Sequence, residues 1–226
     1  TGTPGPSHID ITGVTGEIII KEADLEVIAE TQYMQIPSYR PEPDSNSIKN
    51  SINLLIKAKK PVIIAGGGAN ISGARKELIN IAEKLNIPVA TSLNAKEIFP
   101  YDHPLAVGIP GSYSRACANK IVAESDLVFF IGSHTGSQIT NNWRLPRKGT
   151  SIIQLDINPA ELGRSFPIKI GLMGDVKATL SKILNNISQK KEIHTDWIKR
   201  IQNLVNEWKN EFRPLLKSDT IPMRPE

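Results

Sequence analysis

Pro61-Val-Ile-Ile-Ala-Gly-Gly-Gly-Ala69 is the stretch on which the fold turns. Its first five residues are apolar without a break and three of them are β-branched, so neither face can be turned to water. Such a run reads as a strand covered on both sides, as inside a parallel sheet. Upstream, Ile48, Ile52, Leu55 and Ile56 recur at i, i+4, i+7 and i+8, which puts them on one face of a helix starting at Ser45 and ended by Lys59-Lys60-Pro61. Downstream the alternation repeats. Leu78, Ile81, Ala82 and Leu85 predict a second helix, 88–91 a strand, 114–124 a helix, 127–131 the most hydrophobic strand, 151–157 another strand and 169–173 a last one. Asp175 then caps a helix bearing Val176, Leu180, Ile183, Leu184 and Ile187. Strands alternating with helices imply right-handed crossovers and a sheet covered on both faces. The fold class is therefore α/β: a doubly wound, mostly parallel, Rossmann-like sheet of five or six strands, taken as six.

The flanks differ in character. Residues 1–44 hold Pro4, Pro6, Pro37, Pro41 and Pro43 and little helical periodicity, and read as a short strand at 7–11 followed by a linker. After Ser188 the chain turns polar. Thr195 then caps a long helix whose apolar face is Trp197, Ile201, Leu204, Val205, Trp208 and Phe212, a face that must lie against this domain or a neighbour.

Composition narrows the class of function. With 27 Lys and Arg against 23 Asp and Glu the formal charge is +4, and 39% of the 226 residues are hydrophobic, as in one globular domain with tails. No apolar run approaches the roughly 18 to 20 residues of a membrane helix, and no basic region followed by an apolar stretch opens the chain, so neither a span nor a signal peptide is expected. The single cysteine, Cys117, excludes an internal disulfide framework and a zinc site of several thiolates, and points to the reducing cytoplasm. Lys57, Lys59, Lys60, Lys190 and Lys191 flank helices and form no stripe with aromatics between them, so a nucleic-acid partner is not expected. The chain opens at Thr1 without an initiator methionine, which leads to the expectation of processing or of a longer parent.

In an open parallel sheet, ligands bind beyond the carboxyl ends of the strands. The loops to weigh there are Gly66-Gly67-Gly68-Ala69-Asn70 with Ser72 as a cap for the next helix, Ser92-Leu93-Asn94, Gly108-Ile-Pro-Gly111-Ser112-Tyr113, Gly132-Ser-His-Thr-Gly136 and Asp156-Ile-Asn158-Pro159. Glycines let backbone amides approach a phosphate, but a tight strand-to-helix turn explains the same residues. The dinucleotide fingerprint fails, because its third glycine position holds Ile71 and no acid stands at 86–90 for a ribose hydroxyl. Asp156 and Asn158 suit a ribose or an adenine; equally, Asp156 can cap the segment at Pro159. Cys117 falls on a helix face, where a lone cysteine is usually structural. Of His8, His103, His134 and His194, only His134 stands at a strand end, and their spacing suggests no metal cluster.

Several landmarks then fall in a familiar order. Thr3-Pro-Gly-Pro-Ser-His-Ile-Asp-Ile11, Lys60-Pro-Val-Ile-Ile-Ala-Gly-Gly-Gly-Ala69, Asp126-Leu-Val-Phe-Phe-Ile-Gly132, Ile153-Gln-Leu-Asp-Ile-Asn-Pro-Ala-Glu-Leu-Gly163 and Gly174-Asp-Val-Lys177 resemble the end of the first domain and the central domain of thiamine-diphosphate-dependent enzymes of the acetolactate synthase group. The resemblance implies a sheet of the DHS-like NAD/FAD-binding type. It implies three segments: 1–44, the end of the pyrimidine-binding domain and a linker; 45–188, the central domain; and 189–226, an amphipathic helix and the link to the diphosphate-binding domain. It also implies a parent that uses thiamine diphosphate and Mg²⁺ to decarboxylate a 2-oxo acid such as pyruvate and pass the carbanion to an acceptor.

In that family the activating glutamate and the Gly-Asp-Gly metal motif belong to the outer domains, and Gly174-Asp175-Val176 lacks the second glycine, so this chain alone is expected to be catalytically inactive. Partners implied are the flanking domains and a second copy in a homodimer or homotetramer. Carried onto this sequence, nucleotide contacts fall at Gly66, Gly67, Gly68, Ala69, Asn70, Ser92, Leu93, Asn94, Gly111, Ser112, Tyr113, Gly132, Asp156, Asn158, Asp175 and Val176, for FAD or an ADP moiety. Against FAD stands a departure: FAD-binding members resemble Gly-Ala-Arg-Phe-Asp-Asp-Arg after the apolar strand, and this chain has Gly132-Ser-His-Thr-Gly-Ser-Gln138, without the cation a diphosphate needs. The competing expectation is a free-standing adenine-nucleotide-binding module with no enzyme attached.

Overall fold

The computed structural model describes residues 3, 5–10, 29–187, 193–217 and 219–222. Six strands form one sheet: β1 (Pro61–Ala65), β2 (Val89–Thr91), β3 (Ala106–Gly108), β4 (Leu127–Ile131), β5 (Ser151–Asp156) and β6 (Ile170–Met173). Their order is β3-β2-β1-β4-β5-β6, and every neighbouring pair is parallel. The chain therefore starts in the middle, moves outward to β3, and returns to the other side of β1 as β4. This is the doubly wound order with its switch point between β1 and β4.

The two central strands are apolar on both faces because both are covered. Ile63 pairs with Phe129 and Ile64 with Phe130, and all four are buried. The helices are α1 (Ser45–Lys57), α2 (Gly67–Ile71), α3 (Arg75–Leu85), α4 (Ala116–Glu124), α5 (Val176–Asn185) and α6 (Thr195–Phe212). The connections β1-to-β2 and β3-to-β4 run in opposite directions across the sheet, so right-handed crossovers put α3 and α4 on opposite faces. Accordingly α1, α3 and α5 pack together, and α4 packs with α6.

The tail helix α6 belongs to this body. Trp197, Ile198, Ile201, Leu204 and Val205 are buried, and the Trp197 indole Nε1 donates to the Pro61 carbonyl at 3.0 Å, pinning α6 to the start of β1. The linker before α1 is stitched to the opposite end of the sheet. Arg40 Nη1 donates to Asp175 Oδ1 at 2.8 Å and to the Ser72 carbonyl at 3.1 Å, and the Asp175 amide donates to the Pro41 carbonyl. Asp44 then caps α1 by accepting the Asn46 and Ser47 amides; these hydrogen bonds, the one to Ser47 foremost, hold its carboxyl below the usual range.

Four expectations are corrected. Residues 7–10 form no strand, since nothing among the described residues lies beside them to complete a ladder, and Ile11 lies outside those residues. The sixth strand is β3, three residues long, too short to show a period; it pairs with β2 across an irregular register. Ser72 does not cap α3, whose N-cap position is Ala74 with no side-chain bond; the Ser72 hydroxyl is instead held by Asp175 Oδ2 at 2.7 Å and by the Lys177 amide at 2.9 Å. Thr195 is already helical, and the cap position is His194 at φ +62°.

Candidate functional site

At the switch point the loops after β1 and β4 diverge and leave a cleft of about 330 Å³. The loop after β1 forms one wall, Ser92, Leu93 and Asn94 after β2 a second, and Ile109, Pro110 and Tyr113 after β3 a third; residues 132–139 after β4 close it. A smaller pocket of about 80 Å³ adjoins it beyond Gly68, Gly132 and His134, and is lined on its far side by Asp156, Asp175, Val176, Ile36 and Pro37.

The glycines are there because the two loops touch. A Cβ on Gly66 would run into the Gly132 carbonyl, and one on Gly68 would lie 3.0 Å from the Gly132 Cα. The same region engages three of the loop's amides. Gly66 donates to the Ile131 carbonyl at 2.8 Å, Gly68 to that of Gly132 at 3.0 Å, and Ala69 to that of Gly66 at 3.0 Å. Gly132 is itself in the left-handed region at φ +56°, donating to the Leu155 carbonyl. Gly111, at φ +104°, presses on the Gln138 carbonyl, which also accepts the Ser112 amide at 2.7 Å, so the β3 and β4 loops are joined at a second point.

The sequence candidates therefore separate. Gly66, Gly67, Gly68, Ser92, Leu93, Asn94, Tyr113 and Gly132 line the larger cleft, and Asp156, Asp175 and Val176 line the smaller pocket. Ala69 is buried, Asn70 donates to Glu97 at 2.6 Å, and Gly111 and Ser112 form the loop joint. Asn158 accepts the Ala160 amide and caps the turn at Pro159, a role the sequence offered to Asp156. Asp156 sits one step earlier, accepting the Asn158 amide at 2.9 Å. Burial pushes its carboxyl above the usual range, and the Glu161 charge adds to that against the Asn158 hydrogen bond and His134. Asp175 is fully engaged: Oδ1 takes Arg40 and the Ala178 amide, and Oδ2 takes the Ser72 hydroxyl.

Residues not singled out as ligand contacts also line the cleft, among them Ile109, Pro110, Thr135, Gln138 and Ile139. The signal for Thr135, Gln138 and Ile139 was the long segment that follows β4, and Ile109 and Pro110 stand directly after β3. His134 is placed at both pockets, 3.2 Å from Glu161, which Arg164 pairs at 2.9 Å. Cys117 is buried in α4 and its thiol is pushed up by that burial, which makes it a packing residue. Among the described residues no three His, Cys, Asp or Glu side chains are grouped to hold a metal ion, and no helix is long and apolar enough to cross a membrane.

Comparison with known proteins agrees with this architecture. The family described as thiamine pyrophosphate enzyme, central domain, matches residues 48–183. The probable acetolactate synthase large subunit of Methanococcus aeolicus is 33% identical over all of this chain and 39% of its own length. That of Methanocaldococcus jannaschii is 35% identical over all of this chain and 38% of its length. The acetolactate synthase isozyme 3 large subunit of Escherichia coli is 29% identical, covering 97% of this chain and 38% of its own. The chain thus spans well under half the length of the relatives it matches.

Proposed function

The chain belongs to the thiamine pyrophosphate enzyme family, as its central domain, and from that premise we propose that it is the non-catalytic middle layer of an acetolactate synthase-like enzyme. Residues 1–44 end the preceding domain and link it, 45–188 form the layer itself, and 189–226 lead to the domain that follows. The observation that carries this reading is likeness to acetolactate synthase large subunits along the whole chain, joined to a sheet whose strand ends hold a cleft, with no group of three His, Cys, Asp or Glu side chains among the described residues. The whole protein would decarboxylate a 2-oxo acid and transfer the carbon unit to an acceptor, as a homodimer or homotetramer, with this layer setting the spacing of the outer domains.

Thiamine diphosphate supplies the carbanion chemistry of that family, and the residues here do not fit it. The Asp of Gly174-Asp175-Val176 is committed to Arg40, Ser72 and the start of α5, and the described residues offer no carboxylate cluster for Mg²⁺. Both therefore belong to the outer domains. The cleft between the β1 and β4 loops serves as an accessory small-molecule site. FAD and an ADP moiety are the family's candidates, and the scarcity of cations at the cleft weighs against either diphosphate.

Reading the coding sequence beyond both ends tests the central-layer role against a free-standing nucleotide-binding module. The proposal expects continuous coding sequence on both sides, with a Gly-Asp-Gly motif downstream. A start codon at the first residues and a stop after Glu226 would favour the module.

A further inference from the structure

We infer that the surface around Trp143 docks an acidic segment of a partner protein, with the Trp143 ring as its apolar anchor and Arg144, Arg147 and Lys148 receiving its carboxylates. This surface lies outside the cleft and does not depend on what the cleft binds.

Backbone conformation marks the place. Asn141, Asn142 and Trp143 follow one another at φ +50°, +56° and +58°. Asparagine enters that region readily, but a bulky ring-bearing residue there is an outlier, and such strain persists only where the surroundings hold it. Here they do. The Thr140 hydroxyl donates to the Gly136 carbonyl at 2.8 Å and accepts the Trp143 amide at 3.1 Å, and Thr140 is 1% exposed. The Asn142 amide donates to the Ser137 carbonyl at 2.7 Å, the Leu145 amide donates to the Thr140 carbonyl at 2.9 Å, and Leu145 is buried.

The turn is thus anchored on both sides, yet the indole stays out of the core. Trp143 is 55% exposed, whereas Trp197 is buried and Trp208 is half-buried against Arg115. A large ring held outward on a fixed turn suits a binding anchor, because little side-chain and loop freedom is left to lose on association. Tryptophan and arginine are also the residues that most often carry interface energy.

Charge selects the partner. Arg144, Arg147 and Lys148 are exposed, and none of their side chains has a hydrogen bond or ion pair among the described residues. By contrast Arg40, Arg164 and Arg200 are each paired with a carboxylate. No Asp or Glu stands anywhere between Asp126 and Asp156. Carboxylates match two free guanidinium groups in geometry as well as sign. A second copy docked face to face would set the same three cations against these, which disfavours it. Residues 143–148 span at most about 20 Å even when extended, and three cations fall short of the roughly 6 to 10 phosphate contacts of a nucleic-acid binder.

The test titrates the purified chain with a labelled synthetic peptide of repeating Asp-Glu-Leu, followed by anisotropy. The same peptide with Asn and Gln for the acids, a single-stranded oligonucleotide and phosphatidylserine vesicles are compared at one salt concentration. Saturable binding of the acidic peptide is expected, about tenfold or more tighter than the neutral one and weakened by added salt. Trp143→Ala should weaken it about fivefold or more. Arg147→Glu should weaken it about tenfold, while Lys49→Glu, the same charge change on exposed α1, should leave it within about twofold. In the unmutated chain the peptide should shield indole emission from quenching by iodide. No saturation by the acidic peptide, or equal binding of the neutral one, overturns the proposal. Tighter binding of the oligonucleotide or the vesicles overturns the protein partner, and self-association in sedimentation that Trp143→Ala abolishes overturns it in favour of a second copy. Equal losses from Arg147→Glu and Lys49→Glu overturn the site, and unchanged affinity in Trp143→Ala with no shielding from iodide overturns the anchor.

Discussion

Gly66, Gly111 and Gly132 hold the loops of the sheet's carboxyl edge close together, and they do so with two features of glycine. Gly66 needs space alone, since its φ of −104° is open to any residue; Gly132 and Gly111 need positive φ as well. Gly66→Ala would drive a methyl into the Gly132 carbonyl and Ser133, an overpacking worth about 1–3 kcal/mol, whereas Gly136→Ala meets nothing within 4 Å and should stay within about 0.5 kcal/mol. Urea unfolding midpoints check the contrast. Asp156 predicts a pH effect. Its folded pKa is raised, chiefly by burial, so the native state holds a proton that the unfolded state releases. The stability this contributes is complete below the ordinary aspartate range, about pH 4, and is lost as pH rises through the folded value. Asp156→Asn, which keeps an acceptor for the Asn158 amide, should remove that downward slope, so that its midpoint approaches or exceeds that of the unmutated chain by pH 7. An unchanged slope would show that Asp156 is not its source.

Among the elements, α6 is the one whose attachment the sequence left open between two hosts. Its apolar stripe was legible in the spacing of Trp197, Ile201, Leu204 and Val205, but a stripe does not say what it covers; the answer came from the Trp197 bond to Pro61 and from α4. Trp197→Ala should cost about 3–5 kcal/mol, as for a buried aromatic, while breaking the exposed Arg200–Glu124 pair at 3.0 Å should cost at most about 1 kcal/mol. Denaturant titration with a double-mutant cycle separates the two. Strands β1, β4 and β5 could be read to within a residue because a run buried on both faces is unbroken in composition. Short β3 could not, since Ala106-Val-Gly108 has neither length nor period and is held only by its partner. The site was half legible for a similar reason. Strand ends locate loops, so Gly66, Ser92 and Gly132 were found, but whether a loop amide faces a ligand or a neighbouring carbonyl is decided by packing between segments 60 or more residues apart.

On the scale of the whole molecule, the two ends of the sheet are fastened to different parts of the chain. Arg40, Pro41 and Asp175 tie the incoming linker to the carboxyl edge, and Trp197 ties the outgoing helix to the start of β1. A layer fastened in this way suits a spacer between two neighbours. Its working parts are a buried sheet and a neutral cleft, with no metal cluster among the described residues and with a carboxylate, Asp175, spent on structure. Arg40→Ala would leave Asp175 buried without its cation, a loss of about 3–5 kcal/mol if the pair behaves as fully buried and less in proportion to the exposure of Arg40; thermal unfolding of the variant measures it. The most direct test of a non-catalytic central layer is carbon dioxide release from pyruvate by the purified chain supplied with thiamine diphosphate and Mg²⁺. Release no faster than in a protein-free control is predicted, and turnover above that control, proportional to the amount of chain, would contradict it.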